Sequence, residues 1–153
     1  MQKIVIIFRY YWCFFMNFWT PVHCAAQSSL SSLLDPLVLN GSEINEKAKD
    51  GSTPLHIAAK HNSIQFTMSL IGFGAILDSQ DNNGSTPLHI AITHSHFSVA
   101  KLLIQSGADQ NIRNISGQTP ADTAPVPMIN QTRAFFANWE NWDEMTDSIS
   151  FKK

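Results

Sequence analysis

Six histidines and two cysteines are the side chains of this 153-residue chain best suited to metal or nucleophilic chemistry. His94 and His96 stand two apart, and His61 precedes His94 by 33 residues. A structural zinc site takes four Cys or His ligands at characteristic short spacings. No such set exists here, so the pair reads as solvated. Cys13 and Cys24 are too few for a disulfide framework and fit a reducing compartment. No phosphate-cradling glycine loop, nucleophile elbow or metalloprotease helix motif occurs. Gly72 and Gly74 form a G-x-G without a third glycine or a preceding strand. Glu140, Asp143 and Glu144 fall in a C-terminal tail and read as a solvated face rather than an acid–base pair. The residues therefore predict no catalytic group, no cofactor and no metal. Ten Lys plus Arg against twelve Asp plus Glu give no basic excess, so no nucleic-acid partner is expected.

The other three histidines, His23, His56 and His89, are spaced by 33 residues, and the elements that position them share that step. Residues 51–59 read GSTPLHIAA and residues 84–92 read GSTPLHIAI. One step further on lies Gly117, followed by QTPADTA; one step back from Thr53 lies Thr20, followed by PVHCAAQ. A second landmark, Gly41, Gly74 and Gly107, opens the matching segments GSEIN, GAILD and GADQN in the same phase.

Each position has a physical reason. Thr20, Thr53 and Thr86 stand where a helix N-cap is needed, because a hydroxyl accepts an orphan backbone N–H. Pro21, Pro54 and Pro87 follow at the first helical position, where no N–H is missed. A short apolar helix runs through Leu55, Ile57, Ala58 and Ala59. After a polar break, apolar residues recur at helical spacing: Phe66, Leu70 and Ile71, then Val99, Leu102, Leu103 and Ile104. Gly74 and Gly107 end these second helices, since glycine tolerates the left-handed cap. The polar stretches 75–85 and 108–118 read as turns.

A 33-residue period carrying TPLHIAA and GAD-x-N resembles the ankyrin repeat family. The resemblance covers residues 15–140 and implies an all-α solenoid of helix-turn-helix units with short hairpin-like loops and no large sheet. It divides the chain into a degenerate repeat at 15–47, full repeats at 48–80 and 81–113, and a truncated closing repeat at 114–140. In the first repeat Phe18 replaces the turn glycine and Pro36 interrupts the second helix. In the last, Pro125 and Pro127 disturb the second helix, whose apolar positions fall on Met128, Ile129, Phe135 and Phe136. The family's TPLH imidazole hydrogen-bonds within the turn region, which is the role implied for His23, His56 and His89.

The resemblance implies a non-enzymatic protein-binding module, a scaffold or adaptor, located in the cytoplasm. It also accommodates a membrane-tethered or secreted ankyrin protein, or a regulatory segment of an enzyme complex. Family partners meet the turn tips and the exposed side of the first helices. Here those positions are Lys49, Asp50, Ser52, Lys60 and His61; Gln80, Asn82, Asn83, Ser85, Thr93 and His94; and Arg113, Ile115, Ser116 and Gln118. All are expected to be little needed for packing. Asn45 and Asn111, each with Leu eight before and an acid two before, resemble asparagines hydroxylated in ankyrin proteins, against the plainer reading of structural turn asparagines.

Residues 1–18 lie outside the array in this reading. From Ile4 to Trp19 they run IVIIFRYYWCFFMNFW, like a secretory signal or short anchor. Arg9 interrupts the run, and a bilayer takes roughly 20 apolar residues. Signal cleavage after Ala26 would also remove the first helix of the first repeat. Membrane contact through 1–18 is therefore not favoured; an end cap and a divergent start stay open. Residues 141–153 form an acidic, aromatic tail.

Overall fold

The computed structural model describes residues 19–139. The expectations for segments 1–18 and 141–153, including Phe18, fall outside the described residues. Seven α-helices occur among the described residues, with no strand. They are α1 (Pro21–Gln27), α2 (Leu34–Leu39), α3 (Pro54–Lys60), α4 (Ile64–Gly72), α5 (Pro87–Thr93), α6 (Phe97–Gln105) and α7 (Ile129–Asn138). Helix-turn-helix pairs stack in register. The first helices α1, α3 and α5 pack in one layer, and the second helices α2, α4 and α6 in the other.

The core lies between the layers and carries the 33-residue phase. Val22, Leu55 and Leu88 occupy equivalent buried positions, as do Ala25, Ala58 and Ala91. Leu70 and Leu103 are wholly buried on the second helices. One unit alone leaves an apolar face bare, so each pair is stabilised by its neighbours. Thr67 and Thr132 are also buried, and among the described residues neither hydroxyl has a hydrogen-bond partner.

The helix ends follow from the residue types. Every first helix opens with extended Thr and then Pro. Gly41, Gly74 and Gly107 close the second helices at positive φ, their N–H groups bonded to the carbonyls of Val38, Ile71 and Ile104. The turn between the two helices of a pair has its own marker: Ser29, Asn62 and Ser95, again 33 apart, are the non-glycine residues at positive φ among the described residues.

The outer units depart as the prolines dictate. Before Pro36 the second helix of the first pair is replaced by a 3-10 turn, Ser31–Leu33, and α2 then starts at Leu34. Pro36 thus sits in the first turn of a short helix, where its missing N–H would have no intrahelical partner. In the closing unit the first helix shrinks to a 3-10 turn, Pro120–Thr123, and a second, Val126–Met128, precedes α7. α7 begins on this rebuilt turn, and Phe135 is wholly buried, its ring tilted at 42° against Phe97 with centroids 5.2 Å apart, while Phe136, Met128 and Ile129 are half-buried.

Candidate functional site: the hairpin tips and the histidine ladder

Three loops, 46–53, 79–86 and 112–119, project from the stack between one pair and the next. Each closes on itself through the same backbone bond: Ala48 N–H to Ser52 O, Asp81 to Ser85, and Asn114 to Gln118. Side chains brace the tips. Asp50 Oδ1 accepts from Ser52 N and Oγ, and Asp81 Oδ1 accepts from Asn83 N and Ser85 N. Asn114 Oδ1 accepts from Gln118 N. Successive tips are then tied together. Asn82 donates from its N–H to Asp50 O and from Nδ2 to Lys49 O; Ile115 N–H bonds Asn83 O. Lys47 Nζ reaches Gln80 O, and Gln80 Nε2 reaches Arg113 O.

This close approach is why the tips need glycine. Gly51 and Gly84 have φ of 77° and 71°. A Cβ on Gly84 would also lie 2.9 Å from Ile115 N. Both the conformation and the space exclude a side chain.

Behind the tips runs a ladder of imidazoles. His23, His56 and His89 each send Nε2–H to a carbonyl of the next unit: Ser52 O at 3.1 Å, Ser85 O at 2.9 Å and Gln118 O at 3.0 Å. A carbonyl only accepts, so the ring proton is on Nε2 and Nδ1 is an acceptor. Nδ1 takes the N–H of Thr20, Thr53 and Thr86 at 3.1–3.2 Å and faces their hydroxyls. The N–H of Thr53 belongs to the same peptide group as Ser52 O, and that of Thr86 to the same group as Ser85 O. Imidazoles and peptides therefore alternate in one polarised chain, in which each bond strengthens the next. The last rung is a carboxylate. Asp122 stands where His23, His56 and His89 stand, and its Oδ2 accepts from Thr119 N at 3.0 Å and Oγ1 at 2.7 Å.

The electrostatics agree with the geometry. Burial pushes all three imidazoles below their ordinary range, although the carbonyl bonds partly oppose it. The Thr119 backbone bond, then its hydroxyl, holds Asp122 below the usual carboxylate range. Burial alone would raise Asp50, but the Ser52 hydrogen bonds outweigh it and lower the carboxyl.

The predicted surface residues separate into two groups. Lys49, Asp50, Gln80, Asn82, Asn83, Ser85, Arg113, Ile115, Ser116 and Gln118 share the row of tips. Lys60, His61, Thr93 and His94 lie at the far ends of α3 and α5, about 10 Å away for a seven-residue helix. Ser52 differs from expectation: it is buried, because its hydroxyl and N–H serve Asp50 and its carbonyl receives His23. Ser85 is half-buried for a like reason. Among the described residues no hydrogen bond engages the side chains of Lys49, Lys60, His61, Asn83, Ile115 or Ser116, and Ile115 is 78% exposed. Asn45 makes structural turn bonds, accepting from Ile76 N at 2.8 Å and donating to Gly74 O. Exposed Asn111 bonds Asp109. No group of His, Cys, Asp and Glu among the described residues is arranged to hold a metal.

A family model for ankyrin repeats, in three copies, matches residues 22–114. The chain belongs to the ankyrin repeat family. Ankyrin repeats are generally protein–protein interaction modules, so the braced tips are the part of this ankyrin stack to consider first as a contact surface. No curated protein was found to match the chain. No helix among the described residues is long and apolar enough to cross a membrane. Sequence reasoning missed Asp81 and Asn114, which organise two of the ankyrin tips; the signal was their 33-residue spacing opposite Ala48. It also missed Asp122 as a rung, visible as TPAD in place of TPLH.

Proposed function

We propose that the chain is a non-enzymatic adaptor that binds a protein partner through its row of hairpin tips. The observation that carries the reading is the division of labour there. Asp50, Asp81, Asn82, Gln80 and Asn114 spend their side chains holding the loops. Lys49, Asn83, Ile115 and Ser116 are left presented on a braced backbone. A rigid surface loses little entropy on binding, so its contacts translate well into affinity. Ile115 is the apolar anchor of the row, and a few such residues normally dominate binding energy. Lys60, His61, Thr93 and His94 extend the surface along the first helices. The mix is polar and nearly neutral, which suits a partner without high charge.

The test is affinity purification with mass spectrometry at neutral pH, comparing the chain with an Ile115→Glu, Lys49→Glu variant. Both residues are exposed, so the fold should persist by circular dichroism. A protein retained by the unaltered chain and lost from the variant supports the reading. Equal retention by both, or no retained protein, contradicts it.

A further inference from the structure

Two asparagines of the chain stand directly before glycine, Asn40 and Asn83. An Asn-Gly pair is the peptide link best suited to attack on its own side chain, because no Cβ hinders the approach of the glycine nitrogen to the asparagine Cγ. At Asn83 the fold itself demands that glycine. Gly84 has a φ of 71°, and a Cβ there would lie 2.9 Å from Ile115 N. The packing of one tip on the next thus fixes the residue that makes its neighbour labile.

The two pairs are held differently. Both glycine N–H groups close a turn, Gly41 on Val38 O and Gly84 on Asp81 O, each at 2.9 Å. The Asn40 side chain is tied down as well: its Nδ2 donates to Pro36 O at 2.6 Å, back along the end of α2. Asn83 is exposed at its loop tip, and it is its backbone N–H that bonds Asp81 Oδ1. Opening the Gly84–Asp81 turn bond frees the attacking nitrogen, and exposed loop tips open at low cost. One repeat earlier the equivalent pair is Asp50-Gly51. Burial would raise that carboxyl, but the Ser52 hydrogen bonds outweigh it and keep it ionised, and a carboxylate resists attack by an amide nitrogen. One repeat later the pair is Ser116-Gly117, whose side chain has no carbonyl to attack. Of the three equivalent tip positions, Asn83 alone offers a usable electrophile.

We propose that Asn83-Gly84 is a self-modifying site, at which the tip converts slowly to isoaspartate and aspartate without an enzyme. The Gly84 nitrogen attacks Asn83 Cγ and gives up its proton, which leaves with the side-chain amide as ammonia. A five-membered succinimide remains. Water then opens the ring: cleavage at the former Asn83 peptide carbonyl gives isoaspartate, and cleavage at Cγ gives aspartate. One water enters and one ammonia leaves, with no change of oxidation state. Both products place a negative charge in the row of Lys49, Ile115 and Ser116. In isoaspartate the main chain also runs through Cγ and is one carbon longer. The Asn83 carbonyl that receives Ile115 N–H becomes a carboxylate beside the chain, so the tie between the second and third tips is displaced. The modification stands on its own; its effect on partner binding rests on the tip-binding reading.

The experiment ages the full chain for weeks at neutral and mildly alkaline pH and follows it by peptide mass spectrometry, with isoaspartate detected by enzymatic methylation. A gain of one dalton should appear at Asn83 ahead of Asn40, mostly as isoaspartate, and faster in alkali because the nitrogen must lose its proton. In concentrated urea the two asparagines should convert alike, since the Asn40–Pro36 bond no longer protects one of them. Asn83→Gln should abolish the gain at this position. No conversion at Asn83, conversion of Asn40 first, or a difference between them that persists in urea would overturn the proposal. The Ile115 amide should exchange hydrogen faster in the aged chain than in the fresh one, and not in the aged Asn83→Gln variant; isoaspartate with unchanged Ile115 exchange refutes the displaced tie. Capture of a tip-dependent partner should fall as isoaspartate accumulates, and capture that ignores it sinks the link to binding alone. Conversion at Asn83 in a chain that shows no tip-dependent capture when fresh sinks the binding reading and leaves the modification standing.

Discussion

Mild acid should dismantle the histidine ladder before it affects the carboxylates. His23, His56 and His89 are buried with Nδ1 receiving a Thr N–H, and a protonated ring can no longer accept that bond. The folded chain therefore keeps these rings neutral, while the unfolded chain lets them titrate at the ordinary value of 6.5. The unfolded state binds more protons, so stability is fully present above about pH 6.5 and falls as pH drops below it. At about pH 5.5 a ring kept wholly neutral costs at most about 1.4 kcal/mol, so three rungs cost at most about 4 kcal/mol. Domains are stable by about 5–15 kcal/mol, so the loss is easily measured. Urea unfolding followed by circular dichroism at successive pH values is the assay. His56→Gln removes one titrating rung while keeping a donor and an acceptor, and should reduce the slope by about a third. A stability unchanged between pH 7.5 and 5.5, or the full slope in the variant, would refute the ladder as described.

Leu70→Ala and Leu103→Ala should each destabilise by about 2–5 kcal/mol in urea melts, since both side chains are wholly buried between layers. Gly84→Ala should lower stability by about 1–3 kcal/mol, because its positive φ and the nearness of Ile115 N both oppose a Cβ; an unaltered melting midpoint would contradict the close packing of the tips. Thr67→Val should raise stability by about 1 kcal/mol, as it replaces a buried hydroxyl without a partner among the described residues. Hydrogen exchange should show 54–72 and 87–105 better protected than 20–40, because outer units of a stack open first.

The repeat was legible because several constraints coincide at one period. Thr, Pro, Leu and His must all be placed relative to the next unit, and each left a residue type at the required position. Pro36 was readable as a disturbance but not as its resolution, since whether the helix kinks or restarts depends on how Leu34 and its neighbours pack. Both Phe135 and Phe136 were legible as apolar positions, but not that Phe135 would be the wholly buried one; α7 starts only after the turn built around Pro125 and Pro127. At the tips, hydrophilic residue types looked alike in sequence. Ser52 and Asn83 differ in what the folded loop asks of them: the Ser52 hydroxyl bonds Asp50 and its carbonyl receives His23 from the preceding repeat, while the Asn83 side chain is left exposed. The positive φ of Ser29, Asn62 and Ser95 likewise shows only in the backbone, because serine is an ordinary residue elsewhere.

Hydrogen exchange of the captured complex at neutral pH tests the central claim most directly. Backbone amides around Lys49, Asn83, Ile115 and Ser116 should gain protection when the partner binds, with the outer faces of α2, α4 and α6 unchanged. Protection confined to those second helices, with the tips exchanging as in the free protein, would contradict binding through the hairpin row.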